Sequence, residues 1–280
     1  MSSMHKAIGP EVTPELAERL LDGLCEIAAR ASAAILAVPL SAAGVRIKDD
    51  NSPLTKADEA SERIIIEGLT RILPGIPVIA EESAAAAPKR VAQSCIIVDP
   101  LDGTKEFIAG RDEYTVNIAL VTCGVPIAGI ITAPKQGLLW RGVVGRMAER
   151  LRIDFAAGTS VSEKVTIRTR PAPAALVAAV SRTHLDPNSE AFLSRLKVRE
   201  RHTSGSSVKF CHLAQGDADV YPRLSPTCEW DVAAGCAILT AAGGKVTNPA
   251  GGELRFASGA EKFSVPGFIA WGDPKIARAV

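Results

Sequence analysis

The sequence carries almost no net charge, because its 280 residues include 32 Lys and Arg against 31 Asp and Glu, which leaves +1. This balance argues against nucleic-acid binding through a broadly basic surface, although a local basic pocket stays compatible with it. Aromatic residues make up only 4%, so Ala, Val, Ile and Leu must supply most of the core. With 47% hydrophobic and 22% charged residues, the chain suits one large folded domain or two modest ones, and it is not intrinsically disordered.

The six cysteines form no Cys-x-x-Cys pair and no group with the spacing of a zinc site. Most lie inside apolar runs, such as Cys95 in CIIVD and Cys211 in KFCHLA. This pattern is typical of buried free thiols in a reducing compartment. The N-terminal segment also lacks the basic-then-apolar order of a signal peptide. We therefore expect a cytoplasmic protein and leave open a peripheral attachment to the cytoplasmic face of the inner membrane.

Residues 115–134 form an uncharged run that is long enough to span a bilayer. The run contains Asn117, Gly124 and Pro126, which a membrane helix would accommodate poorly. The segments TVNIALV and IAGIIT, joined by CGVP, fit two buried strands of a hairpin better. We therefore predict a hairpin here and no transmembrane segment.

Apolar spacing predicts two helices near the N-terminus, which begin after the capping residues Thr13 and Thr55. Short apolar runs separated by Gly and Pro predict strands at PVIA, CIIVD, TVNIALV, PIAGIIT, LLWRGVV, ALVAAVS, ERHTS and ADVYPR. Helices and strands mix without a strict βαβ alternation, which favours a layered α+β or α/β sandwich. The polar stretch 148–174 is the candidate domain junction. We predict an N-terminal α+β subdomain, residues 1–155, and a C-terminal α/β subdomain, residues 156–280.

Acidic residues recur where predicted strands end or helices begin. They are Asp58 in SPLTKAD, Glu81 and Glu82 after PVIA, Asp99 and Asp102 in DPLDGT after CIIV, and Asp231 after Trp230. Within DPLDGT, Pro100 sets a turn that lets both aspartates point to one side, with the Leu101 carbonyl between them. Hard oxygen donors of this kind suit Mg²⁺, Mn²⁺ or Ca²⁺ rather than zinc. Gly103 lets a ligand approach the backbone closely, and a helix that starts there would favour an anion such as phosphate.

Each piece also has a purely structural interpretation. DPLDG alone is a common turn sequence, Glu81 and Glu82 can lie in a solvated loop, and Asp58 can serve only to cap its helix. The Trp230–Asp231 pair can be structural too. The joint occurrence of these elements favours a metal site, which we expect at the junction of the two subdomains.

The motifs IAEES, VDPLDGTKEF and EWDVAAG together resemble the inositol monophosphatase superfamily of Mg²⁺-dependent, lithium-sensitive phosphatases. Within it, NSPLTKAD, the KEF after DGT, GSSVKFC and DVYPRLSPTCEWD are most similar to the 3′(2′),5′-bisphosphate nucleotidases of the CysQ type. The resemblance runs from Asn51 to the C-terminus. It implies an αβαβα sandwich of alternating helix and sheet layers and makes the N-terminal subdomain the metal-binding one.

The resemblance also implies a role for each matched residue. The metal ligands would be Glu81, Asp99, the Leu101 carbonyl, Asp102 and Asp231, and Glu82 would assist a further metal through water. Asp58 and Thr104 would orient and help deprotonate the attacking water. The substrate would be held by Glu81, Leu101, Asp102, Gly103, Thr104, His184, Ser206, Lys209, Arg223 and Asp231.

Two of these substrate contacts have open alternatives. The Lys209 ammonium could extend from its helix into water, and Arg223 could pair with Glu229 or Asp219.

The implied activity is hydrolysis of the 3′-phosphate of 3′-phosphoadenosine 5′-phosphate to AMP and phosphate, with two or three Mg²⁺ ions and Mn²⁺ as a substitute. Inositol monophosphate or fructose 1,6-bisphosphate is the alternative substrate for the same chemistry. A non-enzymatic alternative is a binding partner of RNA or of a transcription complex, which the neutral charge and the presence of both Asp58 and Thr104 disfavour. We expect a small nucleotide as the partner, no nucleic acid, and a monomer or homodimer.

Overall fold

The computed structural model describes residues 10–48, 51–86, 93–154, 159–182, 185–257 and 263–278. The helices are α1 (Pro14–Leu36), α2 (Lys56–Ile72), α3 (Thr104–Ile108), α4 (Pro187–Ser194), α5 (Val208–Ala214) and α6 (Ala233–Ala241). The strands are β1 (Arg46–Ile47), β2 (Pro53–Leu54), β3 (Val78–Ala80), β4 (Ser94–Asp102), β5 (Thr115–Thr122), β6 (Val125–Ala133), β7 (Leu138–Val143), β8 (Met147–Asp154), β9 (Ser160–Thr166), β10 (Leu176–Ser181), β11 (Val198–Ser204), β12 (Val220–Arg223), β13 (Thr227–Cys228), β14 (Lys245–Thr247), β15 (Ser264–Val265) and β16 (Phe268–Trp271).

Both N-terminal helices begin where their capping residues predict. The Thr13 hydroxyl accepts a hydrogen bond from the backbone N–H of Leu16, and Pro14 occupies the first helical position. In α2, Thr55 and Asp58 form a reciprocal capping box. The apolar faces of these two amphipathic helices pack on each other and on the first sheet.

The first sheet has seven strands in the order β3-β4-β5-β6-β7-β8-β9, with β3 parallel to β4 and the other pairs antiparallel. The second sheet has five strands in the order β11-β10-β12-β16-β14. There β10 runs parallel to β11 and β12, whereas β16 is antiparallel to its neighbours.

Three apolar cores hold five layers together, and the second core contacts both sheets and the helices α5 and α6 between them. Ile96 and Val98 on one face of β4 pack against α1 and α2, whereas Cys95 and Ile97 on the other face join a core with α5, α6 and the second sheet. The outer face of the second sheet packs on α4 through Phe192. Because β4 is covered on both faces, its residues 95–98 are continuously apolar rather than alternating. The predicted αβαβα sandwich is confirmed.

The first sheet extends past the predicted subdomain boundary at residues 155 and 156. Residues 155 and 156 themselves lie outside the described residues, but the strands before and after them, β8 and β9, pair with each other in the first sheet. The chain therefore leaves the first sheet only after Thr166, although the segment is polar. It is polar because all seven residues of β9 are exposed, so this edge strand needs no apolar face.

The uncharged run 115–134 forms the hairpin β5–β6, as predicted, in the middle of the first sheet. Both of its faces are covered, which explains the absence of charge. None of the helices in the described part of the chain has the length and hydropathy of a membrane span.

Close packing of α6 on the first sheet depends on Gly129 in β6. A Cβ at this position would lie 2.3 Å from the carbonyl oxygen of Ala234. Since backbone atoms cannot move aside as a flexible side chain can, we expect Gly129→Ala to lower the free energy of unfolding by roughly 2–3 kcal/mol. Chemical denaturation measures this change.

The matched control is Gly23→Ala in α1, where the new Cβ would make an ordinary 3.8 Å contact with Ile72. We expect this variant to be more stable than wild type by about 0.5–1 kcal/mol, because alanine favours the helix. Equal effects of the two substitutions would contradict the packing argument.

Candidate active site

Three aspartates meet where the first sheet faces the second. Asp99 and Asp102 lie at the end of β4, with a register irregularity between them, and both line the same cavity. Asp231 ends a short 3₁₀ turn in front of α6. Within the described residues, these three form the one group of potential metal ligands in which an oxygen from each lies within 4.8 Å of the others.

Crowding of these carboxylates in a buried place disfavours their ionised forms. Burial, and then the charges of Glu81 and Asp102, raise the pKa of Asp99 well above its ordinary value. Burial and the nearby Asp102 raise the pKa of Asp231 to about 6. A cation at the centre would reverse this cost, and the purely oxygen donor set fits a hard divalent ion. The residues therefore fit the metal site expected from the sequence.

Glu81 reaches the same cavity from the end of β3 but is held by a lysine. Lys48 Nζ lies 2.7 Å from Glu81 Oε1 and 3.1 Å from Glu82 Oε1. Burial raises the pKa of Glu81 to about 8, although Lys48 opposes the shift. The ammonium of Lys48 thus supplies the positive charge beside these two carboxylates. Lys48 was not predicted for the site, and only its place just before NSPLTKAD could have indicated it.

Asp58 serves its helix and the site with different oxygens. Its Oδ2 accepts hydrogen bonds from the backbone N–H and the hydroxyl of Thr55, at 2.8 and 2.5 Å. Its Oδ1 lies 3.0 Å from Thr104 Oγ1, which is also 3.2 Å from the Leu101 carbonyl oxygen. Burial raises the pKa of Asp58. The capping interpretation and the predicted contact with Thr104 are therefore compatible.

Gly103 adopts a left-handed conformation, with φ +94°, immediately before α3. A Cβ there would lie 3.2 Å from the carbonyl oxygen of Glu113 and 3.3 Å from Cα of Tyr114. Glycine therefore satisfies both the backbone angle and the close approach of the neighbouring segment.

One cavity of about 240 Å³ joins these groups to a basic wall from the second sheet. Ten of the residues predicted for the site line it: Glu81, Asp99, Leu101, Asp102, Gly103, Thr104, Ser206, Lys209, Arg223 and Asp231. Asp58 stands behind Thr104. His184 lies outside the described residues, so its predicted contact stays a prediction.

Lys209 is buried, and its ammonium turns back onto its own loop. Its Nζ contacts the carbonyl oxygens of Ser204, at 3.3 Å, and Ser206, and it lies 5.2 Å from the ring centre of Tyr221. The alternative in which Lys209 extends into water is wrong, because only 2% of the residue is exposed.

Arg223 has no ion pair with Glu229 or Asp219 in the described structure, so that alternative is also wrong. Asp219 pairs with Arg170 at 2.8 Å, and Glu229 accepts the backbone N–H of Ala257 at 2.7 Å. Arg223 Nε is buried without a hydrogen-bond partner among the described residues. A buried cationic donor without a partner is costly unless a ligand meets it.

Asp102 is held by Ser207, the residue directly before α5, which no sequence motif marked as a site residue. The backbone N–H and the hydroxyl of Ser207 lie 2.7 and 2.9 Å from Asp102 Oδ2. Ser207 Oγ also lies 2.7 Å from Asn117 Oδ1 in the first sheet. Only the adjacent Ser206 in GSSVKFC was predicted for the site, and no local signal marked Ser207.

A layered sandwich with an oxygen-only acidic cluster between its sheets, and a basic wall across the same cavity, is the arrangement of a metal-dependent phosphatase. Residues 16–271 match the model of the inositol monophosphatase family. The chain belongs to this family.

Two named relatives illustrate the similarity. The chain is 37% identical over 255 residues to the 3′(2′),5′-bisphosphate nucleotidase CysQ of Escherichia coli K12, covering 89% of this chain and 98% of that protein. The crystal structure of CysQ from Bacteroides thetaiotaomicron superposes with a TM-score of 0.73 at 34% identity, covering 89% of this chain and 96% of that one. The predicted family resemblance is confirmed.

Proposed function

We propose that this protein is a Mg²⁺-dependent phosphatase that converts 3′-phosphoadenosine 5′-phosphate and water to AMP and phosphate. The observation that carries the proposal is the pairing, in one cavity, of an acidic cluster with a basic wall in which the buried Nε of Arg223 has no hydrogen-bond partner in the described structure. An acidic half suits a metal-bound scissile phosphate, and a cationic half suits a second phosphate. The CysQ relatives, named as 3′(2′),5′-bisphosphate nucleotidases, support this choice.

In this proposal the metal is held by oxygen donors from both subdomains. They are Glu81, Asp99, the Leu101 carbonyl, Asp102 and Asp231. Bound Mg²⁺ would neutralise phosphate charge and lower the pKa of water, and Mn²⁺ would substitute. Asp102 Oδ2 is engaged by Ser207, which leaves Oδ1 for the ion and orients the carboxylate.

Thr104 and Asp58 form the proposed proton relay. With Asp58 ionised, the Thr104 hydroxyl donates to Asp58 Oδ1, and a lone pair on Oγ1 is free to accept a hydrogen bond from the attacking water. The proton of the water passes to Thr104 while the proton of Thr104 passes to Asp58. The raised pKa of Asp58 makes it a stronger base than an ordinary carboxylate.

The substrate side is assigned to Gly103, Thr104, Ser206, Lys209 and Arg223. We propose that the backbone at Gly103 and Thr104 holds the scissile phosphate. Ser206 Oγ and Arg223 Nε, both buried and without partners in the described structure, meet the nucleotide and its second phosphate. Lys209 shapes this wall through its contacts with the loop carbonyls. His184 is proposed as a further nucleotide contact.

A substrate comparison tests the proposal. We expect kcat/KM for 3′-phosphoadenosine 5′-phosphate to exceed that for inositol 1-phosphate or fructose 1,6-bisphosphate by at least about 100-fold, because unmatched buried donors penalise the wrong substrate. Phosphate release with Mg²⁺, and with EDTA as the metal-free control, measures it. Inhibition by lithium is a further expectation.

Equal turnover of all three substrates would contradict the nucleotide assignment, and turnover in EDTA would contradict the metal. Failure to hydrolyse any of them, with salt-resistant recovery of RNA, would favour the non-enzymatic alternative. We propose that the protein is cytoplasmic and forms a monomer or a homodimer. Light scattering of the purified chain measures which of the two oligomeric states it adopts.

A further inference from the structure

A charged pair at the mouth of the cavity connects the two subdomains. Glu113 lies between α3 and β5, and Arg182 follows β10. The guanidinium donates from Nε to Glu113 Oε2, at 2.8 Å, and from Nη2 to Oε1. Nη2 also lies 3.2 Å from the carbonyl oxygen of Thr203 in β11. Arg182 lines the cavity, whereas Glu113 stands behind it.

The pair also holds the segment from the last residue of β11 to the residue before α5, residues 204–207, which we call the serine loop. The backbone N–H of Gly205 donates to Glu113 Oε2 at 3.0 Å. A Cβ at Gly205 would lie 2.8 Å from the Glu113 carbonyl oxygen and 2.9 Å from Glu106 Cγ. The serine loop is thus pressed against the first subdomain at this point, and Glu113 provides the hydrogen bond that fixes it there.

The serine loop needs such an external restraint. Ser206 has φ +45°, a left-handed conformation that a serine adopts only at a cost. The carbonyl oxygens of Ser204 and Ser206 accept hydrogen bonds from Lys209 Nζ. The backbone N–H of Ser207 donates a hydrogen bond to Asp102. The hydroxyls of Ser204 and Ser206 are buried without partners in the described structure.

The pair contributes little to the free energy of folding, because ion pairs between partly exposed side chains are screened by water. Arg182 is 39% exposed and Glu113 21%. What distinguishes the pair is that one carboxylate receives both the guanidinium and the backbone of the serine loop. Its effect should therefore fall on the conformation of that loop rather than on the global fold.

We propose that Glu113 and Arg182 are positioning residues, which hold the serine loop in the conformation that binds the second phosphate of the substrate. The inference rests on the proposed function for its kinetic consequence but not for its structural one. Arg182 acts here through Glu113 and the loop rather than as an independent phosphate ligand.

Kinetics of Glu113→Ala, Arg182→Ala and the double variant test the proposal. We expect each single change to raise KM for 3′-phosphoadenosine 5′-phosphate about tenfold, the size of one lost charged hydrogen bond, with kcat within about threefold of wild type. The double variant should be no worse than either single one, because the residues act as a unit. Glu113→Gln, which still accepts from Gly205, should recover part of the loss.

The matched control is Glu190→Ala, since Glu190 and Arg201 form a similar two-bond pair, at 2.6 and 2.8 Å, away from the cavity. Its KM should not change. An unchanged KM in Glu113→Ala together with a raised KM in Arg182→Ala would overturn the proposal, because Arg182 would then contact the substrate directly.

Hydrogen exchange of the metal-free, substrate-free chain separates this inference from the proposed function. We expect Glu113→Ala and Arg182→Lys to speed exchange in a peptide that covers residues 203–209, and Glu190→Ala to leave it unchanged. If wild type fails to hydrolyse the nucleotide but this exchange pattern holds, the proposed function fails and the positioning role stands. Unchanged exchange in both site variants overturns the positioning role whatever the substrate.

Discussion

Asp231→Asn is expected to abolish phosphate release, with kcat at least about 1,000-fold lower, which corresponds to roughly 4 kcal/mol of activation free energy. Asp231 Oδ2 accepts from Thr227 Oγ1 and the backbone N–H of Cys228. An asparagine oxygen can keep these contacts, but its amide nitrogen would then face Asp99 and Asp102 and repel a cation. The fold should survive while the metal site is lost.

Thermal unfolding supplies a second measurement on the same variant. The folded pKa of Asp231, about 6, lies above its ordinary 3.8, so the ionised group destabilises the metal-free fold. The protonated Asp231 carboxyl contributes stability that is fully present below the unfolded pKa of 3.8 and is lost as the pH rises through the folded pKa of about 6. At neutral pH, metal-free Asp231→Asn should therefore unfold a few degrees above wild type and should lack the rise in Tm that Mg²⁺ produces in wild type.

Asp217→Asn is the matched control, because Asp217 lies on the surface after α5, with 47% of its side chain exposed. It should keep both the activity and the response to Mg²⁺. Substantial turnover by Asp231→Asn at saturating Mg²⁺ would contradict the proposed ligand set, even if the Tm changed as expected.

Thr104→Val is expected to lower kcat by about 10²- to 10³-fold, the usual contribution of a positioned proton-transfer group. Valine has nearly the volume of threonine but cannot pass a proton between water and Asp58 Oδ1. Since none of the clustered aspartates is altered, the Mg²⁺-induced rise in Tm should persist. Separation of lost turnover from retained metal binding distinguishes this variant from Asp231→Asn.

Thr104→Ser serves as the control, because it restores the hydroxyl and should retain activity within about tenfold of wild type. Asp58→Asn should lose about as much kcat as Thr104→Val, and the double variant should lose little more, because one relay is broken in each case. Full activity of Thr104→Val would show that the water is activated without this pair.

Local patterns predicted most of the secondary structure because the relevant signals lie within a few residues of each other. Thr13 and Thr55 cap their helices through contacts with the next turn. The apolar runs became strands because both faces of β4 and β5 are buried. Composition does not distinguish β9 from a linker, because an exposed edge strand and a linker are both polar.

The candidate site also combines features that the local sequence predicts with contacts that it does not. By itself, the sequence determined which carboxylates could form a metal site, because DPLDGT and the acidic residues at strand and helix ends are local features. Only the tertiary structure decided which groups meet there: Lys48 beside Glu81 and Glu82, Ser207 on Asp102, and the pair of Arg182 with Glu113 beside the serine loop. These contacts join residues 33–105 positions apart in the chain, and which of many compatible polar groups meet depends on how the two sheets pack. No local pattern carries that information.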